Sequence, residues 1–265
     1  MGPGMTITDI PDRLRAPQDL PTPGRVIGRV AGVWRYPISS TAGERLATIE
    51  AGPDGLAGDR RFAIADTQTG DVASPEREQR WHPVTSVRAR ASTSDAPEIK
   101  LPAGPWLPAF DPATSQALSA HFGFSVAVRP YGAAVAGERT VRGRYRPAHA
   151  HLLTTASLAC LQQDLPVSTL DPARFRPNLL IATTPDVTGM AEQAWIGREI
   201  HIGSVRFAVN KPCGRCSFTT LPQPGLALDR DVLRALIRGH ARQFGVLGHV
   251  IAAGTIAEGD AVVLV

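Results

Sequence analysis

Short runs of β-branched and aromatic residues, separated by turn-forming residues, characterise the chain from about residue 24 to 107. The runs are GRVIGRVAGVWRYPI, RLATIEAG, RRFAIADTQTGDVAS and VTSVRARAS, and DTQTGD has the composition of a hairpin turn. This pattern predicts antiparallel strands that curl into a small barrel or sandwich.

Helical spacing appears twice in the middle of the chain. In DPATSQALSAHFG, Asp111 can cap a helix, Leu118 and Phe122 are four residues apart, and Gly123 can end it. After the strand FSVAVRPYG, the arginine-rich AVAGERTVRGRYRPAHA reads as a loop, and LLTTASLACLQQDL has the apolar spacing of a second helix.

Strand patterns return in the last third of the chain. NLLIAT, EIHIGSVRFAVN and HVIAAGTIAEGDAVVLV predict strands, with a helix in DRDVLRALIRGHARQFG between the last two. Regular alternation of strand and helix is missing, so the sequence predicts an α+β fold. A glycine-rich phosphate loop is also missing, which argues against a nucleotide-dependent enzyme.

Composition narrows the class of protein. The chain has 265 residues, of which 43% are hydrophobic and 20% charged, as in a soluble protein of one large or two modest domains. No run approaches the roughly 18 apolar residues of a membrane span. The proline- and glycine-rich start lacks the apolar core of a secretion signal, so we expect a flexible tail and a cytoplasmic protein without disulfides.

Arginine accounts for most of the positive charge. The net charge is +4, and Lys100 and Lys211 are the only lysines. The charge is small for this length and no recognition motif accompanies it, so we expect no nucleic-acid partner. Arginines that converge on one small anionic ligand fit the composition better.

The segment NKPCGRCSFTT contains two of the three cysteines, Cys213 and Cys216. A redox dithiol would be expected to open a helix, whereas a β-branched, proline-rich run follows here. Structural zinc needs four ligands, and few candidates are available. Incidental cysteines in a loop, and a thiolate held among the cations Lys211 and Arg215, both remain open. Such a thiolate suits a soft transition metal.

Six segments in order resemble the MOSC proteins, the family named after the C-terminal domain of molybdenum cofactor sulfurase. They are WRYPISS, GLAGDRRFAI, HLLTTASLACL, RFRPNLLI, KPCGRCSFTT and GTIAEGDAVVLV. The resemblance is to members with a β-rich N-terminal MOSC domain, such as the mitochondrial amidoxime-reducing component and bacterial relatives. It implies a tail over 1–24, a β-rich N-terminal MOSC domain over 25–125, and a β-barrel-rich MOSC domain over 126–265.

The resemblance also implies a molybdenum–molybdopterin cofactor. By its place in the motif, Cys216 would be the metal ligand and the catalytic cysteine, with Cys213 beside the site. The other positions that match the cofactor pocket are Ser40, Arg60, Arg176, Asn178, Gly214 and Arg215. Ser39 belongs to the same pocket, where the family usually has a lysine.

Two further departures alter the expected pocket. The family's acidic residue before the Leu-Leu-Thr segment is missing, and Arg146, His149 and His151 stand nearby. The loop TTLPQPG is one residue shorter than the family's and lacks its aspartate. The substrate range of the family therefore does not transfer directly, and loss of cofactor binding is an alternative.

The function implied is reduction of N-oxygenated compounds, such as N-hydroxy compounds, amidoximes or nitrones. Three cysteines cannot supply an iron–sulfur cluster with four ligands, so the resemblance implies a separate ferredoxin, flavoprotein or haem protein as electron donor. His149, His151 and His249 are candidate proton donors. The alternatives are a sulfur carrier with a persulfide on Cys216, a cofactor-carrying module, or a biosynthetic enzyme with an altered pocket.

Overall fold

A computed structural model describes residues 24–92, 96–143, 148–165 and 170–265 of the chain, so the predicted tail and Arg146 lie outside the described residues. Strands β1 to β9 are Arg25–Arg35, Glu44–Leu46, Thr48–Gly52, Gly55–Leu56, Phe62–Asp66, Arg88–Arg90, Glu98–Lys100, Trp106–Pro108 and Val126–Pro130. Strands β10 to β16 are Ala150–Thr154, Leu179–Thr183, Glu199–Ile202, Val205–Gly214, Gln243–Ala252, Gly254–Ala257 and Ala261–Leu264. Helices α1 to α3 are Pro112–Phe122, Thr155–Gln163 and Arg230–Gly239. Four 3₁₀ segments are Gln79–Ser86, Pro172–Phe175, Ala191–Trp195 and Ser217–Thr220.

A closed barrel of seven strands forms the centre of the fold, in the order β1-β11-β10-β14-β13-β12-β16. The first strand closes it, because β1 pairs antiparallel with both β11 and β16. At Gly28 a Cβ atom would stand 2.4 Å from the carbonyl oxygen of Ala182, so only glycine allows β1 and β11 to approach this closely. The interior is apolar and includes Ile27, Leu152, Trp195, Phe207 and Val246. The α+β, β-rich class is confirmed.

Within the described residues, the strands of the N-terminal segment, for which the sequence predicts a small barrel or sandwich, are shared between the main barrel and several small sheets. Its first strand belongs to the main barrel, and β3 pairs with β15 near the C-terminus on one side and with β4 on the other. The rest forms two small sheets, β5-β9 and β6-β7-β8. These sheets and α1 pack around Trp81 and Phe122, so the segment acquires a separate core.

Several local predictions are confirmed. Helix α1 begins at the predicted cap, where the Asp111 carboxylate accepts a hydrogen bond of 2.8 Å from the amide of Ala113. It ends at Gly123, which has φ of 78°. The hairpin turn after β5 is present, with the amide of Asp66 donating to the carbonyl of Asp71 at 2.9 Å.

Three predicted elements have different bounds. The segment predicted as one helix is strand β10 up to Thr154 and helix α2 after it, because the Thr154 hydroxyl caps the helix by accepting from the amide of Ser157 at 3.0 Å. Within VTSVRARAS only β6 is a strand. The last helix ends at Gly239, since Ala241 and Arg242 adopt left-handed backbone and turn the chain into β14.

The described residues include no helix that is both long enough and apolar enough to cross a bilayer.

Candidate functional site

Three arginines converge at one rim of the barrel, where β1 and β13 end and where β10, β11 and β14 begin. The Arg60 guanidinium donates to the Asn178 side-chain oxygen at 3.0 Å and to the carbonyl of Arg176 at 3.3 Å. The Arg176 guanidinium donates to the carbonyl of Thr41, beside Ser40. The Arg215 guanidinium donates to the carbonyl of Phe175 at 2.6 Å, beside Arg176. Segments distant in the chain therefore meet at one cationic site.

Left-handed backbone marks three of the predicted site residues. Ser40 has φ of 66°, Arg60 of 48° and Arg176 of 54°. Residues other than glycine rarely adopt this conformation, which costs on the order of 1 kcal/mol or more each and is concentrated at functional sites. The strain is located where the sequence predicts the pocket.

The ring of Tyr36 packs against the guanidinium groups of Arg176 and Arg60. The guanidinium carbon of Arg176 lies 4.2 Å from the centre of the Tyr36 ring, and that of Arg60 lies 5.1 Å away. The Tyr36 hydroxyl donates to the carbonyl of Pro177 at 3.1 Å, and burial raises the pKa of Tyr36, so the ring remains neutral. Sequence reasoning missed this role because the contact joins residues far apart in the chain.

Positive charge at the site exceeds negative charge. Asp59 pairs with Arg60, but among the described residues no carboxylate pairs with Arg176 or Arg215. Burial, and then the nearby charges of Arg60 and Arg215, lower the pKa of Arg176 to about 10, although Tyr36 and Asp59 oppose them. The Nε atom of Arg215 is buried with no hydrogen-bond partner in the described part of the chain. The site is therefore suited to an anionic ligand that accepts hydrogen bonds.

Asn178 links three parts of the site through hydrogen bonds of its side chain. It is completely buried, and its side-chain oxygen accepts from Arg60 and from the amide of His151, both at 3.0 Å. Its side-chain nitrogen donates to the carbonyl of Trp34 at 3.2 Å. In this structure Asn178 positions its neighbours instead of presenting its amide to an open pocket.

Ser39, Ser40 and Gly214 line more open parts of the site. The amide of Ser39 donates to the carbonyl of Phe62 at 2.8 Å, next to Arg60, while neither serine hydroxyl has a partner among the described residues. Gly214 is exposed, and a Cβ atom built there would meet nothing within 4 Å. Both serine hydroxyls are thus available to a ligand, and the space beside Gly214, which pairs with Gln243 at the end of β13, is open.

Cys213 and His151 form a second feature of the site. The ring nitrogens of buried His151 lie 3.3 Å from two carbonyl oxygens, of Arg176 and Phe244. Carbonyl oxygens only accept, so both contacts are hydrogen bonds only in the cationic, doubly protonated ring. Burial raises the pKa of the Cys213 thiol, but the charges of His151 and Arg215 and their hydrogen bonds outweigh burial and lower the pKa to about 6.

The two cysteines of the segment have different surroundings. The Arg215 guanidinium donates to the Cys213 sulfur at 2.9 Å, where β13 ends. Cys216 immediately precedes the 3₁₀ segment Ser217–Thr220 and is half-buried beside Arg215, with no hydrogen-bond partner for its sulfur among the described residues. Sequence reasoning placed Cys213 beside the site but missed its pairing with His151, because the two residues are far apart in the chain.

The other two candidate proton donors lie elsewhere. The rings of His149 and His249 contact each other in a tilted arrangement, with centroids 4.6 Å apart and an angle of 42° between their planes. His149 Nδ1 accepts from the amide of Val250 at 3.0 Å, so that nitrogen carries no proton. Burial, followed by the charge of His249, lowers the pKa of His149. Of the three histidines, His151 is the one held by the carbonyl of Arg176.

The site fits the phosphate-bearing cofactor that the resemblance implies. The unpaired charge of Arg176, the partnerless Nε–H of Arg215 and the open space before Gly214 suit an anionic group with acceptor oxygens. Within the described ranges no three His, Cys, Asp or Glu side chains gather to bind a metal. A metal at Cys216 would therefore need ligands from the cofactor.

Comparison with known proteins identifies two family models along the chain. The MOSC domain model matches residues 140–263, and the MOSC N-terminal beta barrel domain model matches residues 27–104. No protein of curated function matches the chain.

Solved structures with a similar arrangement include two bacterial proteins. YuaD from Bacillus subtilis is 12% identical with a TM-score of 0.47, and the match covers 89% of this chain and 93% of that one. YiiM from Geobacillus stearothermophilus is 16% identical with a TM-score of 0.35, over 44% of this chain and 54% of that one.

Proposed function

Because the chain belongs to the MOSC family, with both a MOSC N-terminal beta barrel domain and a MOSC domain, we propose that it is a molybdenum-cofactor-dependent oxidoreductase. Its substrates are small N-oxygenated compounds of the N-hydroxy, amidoxime or nitrone type. The observation that carries the proposal is the cluster of Arg60, Arg176 and Arg215, in which two guanidinium groups lack a carboxylate partner among the described residues.

The arginines would hold the anionic part of the cofactor. Arg176 and Arg60 are fixed over the Tyr36 ring, so their positive charge is preorganised for a phosphate group. Arg215 offers its free Nε–H, Ser40 offers its hydroxyl, and the space beside Gly214 is open. Ser39, in place of the family's lysine, contributes a hydroxyl and no charge.

Cys216 would supply the protein thiolate to the metal. When bound, the cofactor supplies the two-electron chemistry that breaks an N–O bond. In this proposal the electrons come from a separate ferredoxin, flavoprotein or haem protein, since the three cysteines of this chain are fewer than the four ligands of a cluster. Exposed arginines can attract an acidic donor protein.

His151 is the residue best placed to hold a proton at the site. In its cationic form it carries protons on both ring nitrogens, and its charge favours the thiolate of Cys213. Reduction of an N–O bond consumes protons, so a fixed acid beside the pocket serves the reaction. His151 lies in the segment in which the family's acidic residue is missing.

Elemental and pterin analysis tests this proposal directly. We expect wild-type protein, made in a host that synthesises the cofactor, to contain molybdenum and pterin, and Cys216→Ala to lose the metal. Arg176→Gln should lose pterin, since it removes the charge that would bind the phosphate. Cys160→Ala and Arg45→Gln are the matched controls, because Cys160 lies on α2 and Arg45 pairs with Glu258 at the surface.

The outcomes separate the assignments. If wild-type protein contains neither molybdenum nor pterin, the proposal fails. If Cys213→Ala loses the metal while Cys216→Ala keeps it, the ligand is Cys213. Loaded protein should then reduce an aryl amidoxime with a chemical electron donor, and failure to do so would refute the substrate class.

A second candidate function is sulfur transfer through a cysteine persulfide. The observation that favours it is the thiolate environment of Cys213, formed by Arg215 and His151. Incubation with a persulfide donor, followed by mass spectrometry, should then show one added sulfur atom on Cys213 in protein without molybdenum. Molybdenum in the wild-type protein, together with unmodified Cys213, would exclude this function.

A further inference from the structure

A cavity of about 670 Å³ lies between the N-terminal sheets and the loop that follows the cysteine segment. It is lined by the 3₁₀ segment Gln79–Ser86, by β6 and β7, and by residues 222–224. We call it the proline-rimmed cavity, after Pro102, Pro222 and Pro224. Its volume is that of a site for a small organic molecule, for which about 300–1,000 Å³ is usual.

Two cationic residues lie side by side on one wall of this cavity. Arg88 on β6 and Lys100 on β7 both line it, and they are direct partners in the antiparallel ladder. Like charges directly opposite each other destabilise a sheet. Arg88 is exposed and Lys100 half-buried, and neither forms an ion pair with a carboxylate of the described residues, so their like charges are not compensated by a partner there.

The neighbouring position on the same two strands shows the usual arrangement. Arg90 is the ladder partner of Glu98, and their side chains form an ion pair of 2.7 Å. Arg90 does not line the cavity. The like-charged pair therefore occurs where the strands line the cavity, and a compensated pair occurs two residues further along the same strands.

The remaining lining is divided between polar and apolar groups. His82 and Ser86 lie on the side of the 3₁₀ segment, where the Ser86 hydroxyl donates to the carbonyl of Pro83 at 2.7 Å. Leu101 and the three prolines provide apolar surface. A ligand that satisfies this lining has an anionic end and an apolar body.

We propose that the proline-rimmed cavity binds a small organic anion, with a carboxylate or phosphate group between Arg88 and Lys100 and an apolar body against the prolines. The anion removes the repulsion between the two cations and accepts charge-assisted hydrogen bonds from both. Residues 222–224 follow the 3₁₀ segment that begins after Cys216, so the ligand contacts the same loop as the candidate site. The inference does not depend on the proposed redox function.

Isothermal titration calorimetry with defined probes tests this inference. The probes are 4-phenylbutyrate, phenyl phosphate, inorganic phosphate and the neutral 4-phenylbutan-1-ol. We expect wild-type protein to bind at least one of the two organic anions, and Arg88→Gln and Lys100→Gln to weaken that binding at least about tenfold. Arg90→Gln, which removes the same charge from the same strand, should change binding less than about twofold.

The probes also distinguish the two anionic groups. Tighter binding of phenyl phosphate assigns a phosphate ligand, and tighter binding of 4-phenylbutyrate assigns a carboxylate. The inference is overturned if neither organic anion binds, if the neutral alcohol binds as tightly, or if all three variants lose affinity equally. Stronger binding of inorganic phosphate than of both organic anions also overturns it, because the apolar lining then contributes nothing.

A charge-reversal variant distinguishes loss of the binding site from loss of folding. Lys100→Glu turns the repulsive pair into an attractive one, so the variant should unfold at a temperature no lower than wild type while losing anion binding. Binding that survives this substitution contradicts the proposed site. Titrations with molybdenum-free and molybdenum-loaded protein should agree, so loss of the redox proposal would leave this result unaffected.

Discussion

The thiol of Cys213 provides the sharpest test of the site. Two groups favour its thiolate, the Arg215 guanidinium at 2.9 Å and the buried ring of His151. They outweigh burial, which opposes them, and lower the pKa of Cys213 to about 6. Replacing His151 with glutamine removes the contribution of the imidazole and retains a hydrogen-bonding side chain. We expect the substitution to raise the pKa of Cys213.

The size of the effect follows from the charges. At pH 7 a thiol with a pKa of about 6 is roughly nine-tenths thiolate, whereas an ordinary cysteine with a pKa near 8.5 is about 3% thiolate. Loss of one neighbouring opposite charge moves a pKa by about one to three units. A higher pKa lowers the fraction of thiolate but makes each thiolate more nucleophilic, so these two effects oppose each other in the alkylation rate at one pH. The pKa is therefore read from the midpoint of the pH profile.

The assay is alkylation by iodoacetamide between pH 4.5 and 9.5, read at the Cys213 peptide by mass spectrometry. We expect a midpoint near pH 6 for wild type and a shift upward of at least about one unit for His151→Gln. His149→Gln is the control, because the ring of His149 contacts that of His249 away from the cysteine. A wild-type midpoint near 8.5, or an unchanged midpoint in His151→Gln, would refute the reasoning.

The same shift has a consequence for stability. The pKa of the Cys213 thiol is lower in the folded state than in the unfolded state, so ionisation of the thiol stabilises the fold. This stabilisation is complete above the unfolded pKa of about 8.5 and is lost as the pH falls towards 6. The difference in unfolding free energy between wild type and Cys213→Ala should therefore shrink from pH 9 to pH 6, as measured by denaturant titration. A difference that does not change with pH would contradict the ion pair.

Two further substitutions test how the site is held. Asn178→Ala should lower the unfolding free energy, measured by urea titration, by about 2–4 kcal/mol, because it leaves the buried partners of the amide unsatisfied. The control Asn210→Ala, at an exposed position, should change the unfolding free energy by less than about 0.5 kcal/mol. Gly245→Ala places a Cβ 2.3 Å from His151 Nε2, so it should destabilise more than Gly70→Ala, which has the same φ of 78° and open space around it. Equal losses of melting temperature in the two glycine variants would show that backbone strain alone matters.

Local sequence signals predicted the elements that depend on neighbouring residues. The cap at Asp111 and the stop at Gly123 fixed helix α1, since both act through hydrogen bonds and backbone conformation within a few residues. The boundary between β10 and α2 was missed because apolar positions in a short buried strand resemble those of a helix.

The resemblance in six ordered segments identified the family and the residues of the candidate pocket. It did not reveal that β1 closes the barrel of the C-terminal half, because pairing partners far apart in the chain leave no local pattern. Neither did it show Tyr36 beneath the arginines.

Sequence alone thus determined which residue types are available: three arginines, two nearby cysteines, and histidines in place of an acid. Tertiary structure decided which of them act together. Closure of the barrel brings the ends of β1 and β13 to the beginnings of β10, β11 and β14, and this places His151 beside Cys213. The ring of His149, two residues earlier, contacts the ring of His249 instead. Strand alternation would place residues two apart on the same face, but His149 precedes β10, which begins at Ala150, so the local pattern does not determine where its ring lies.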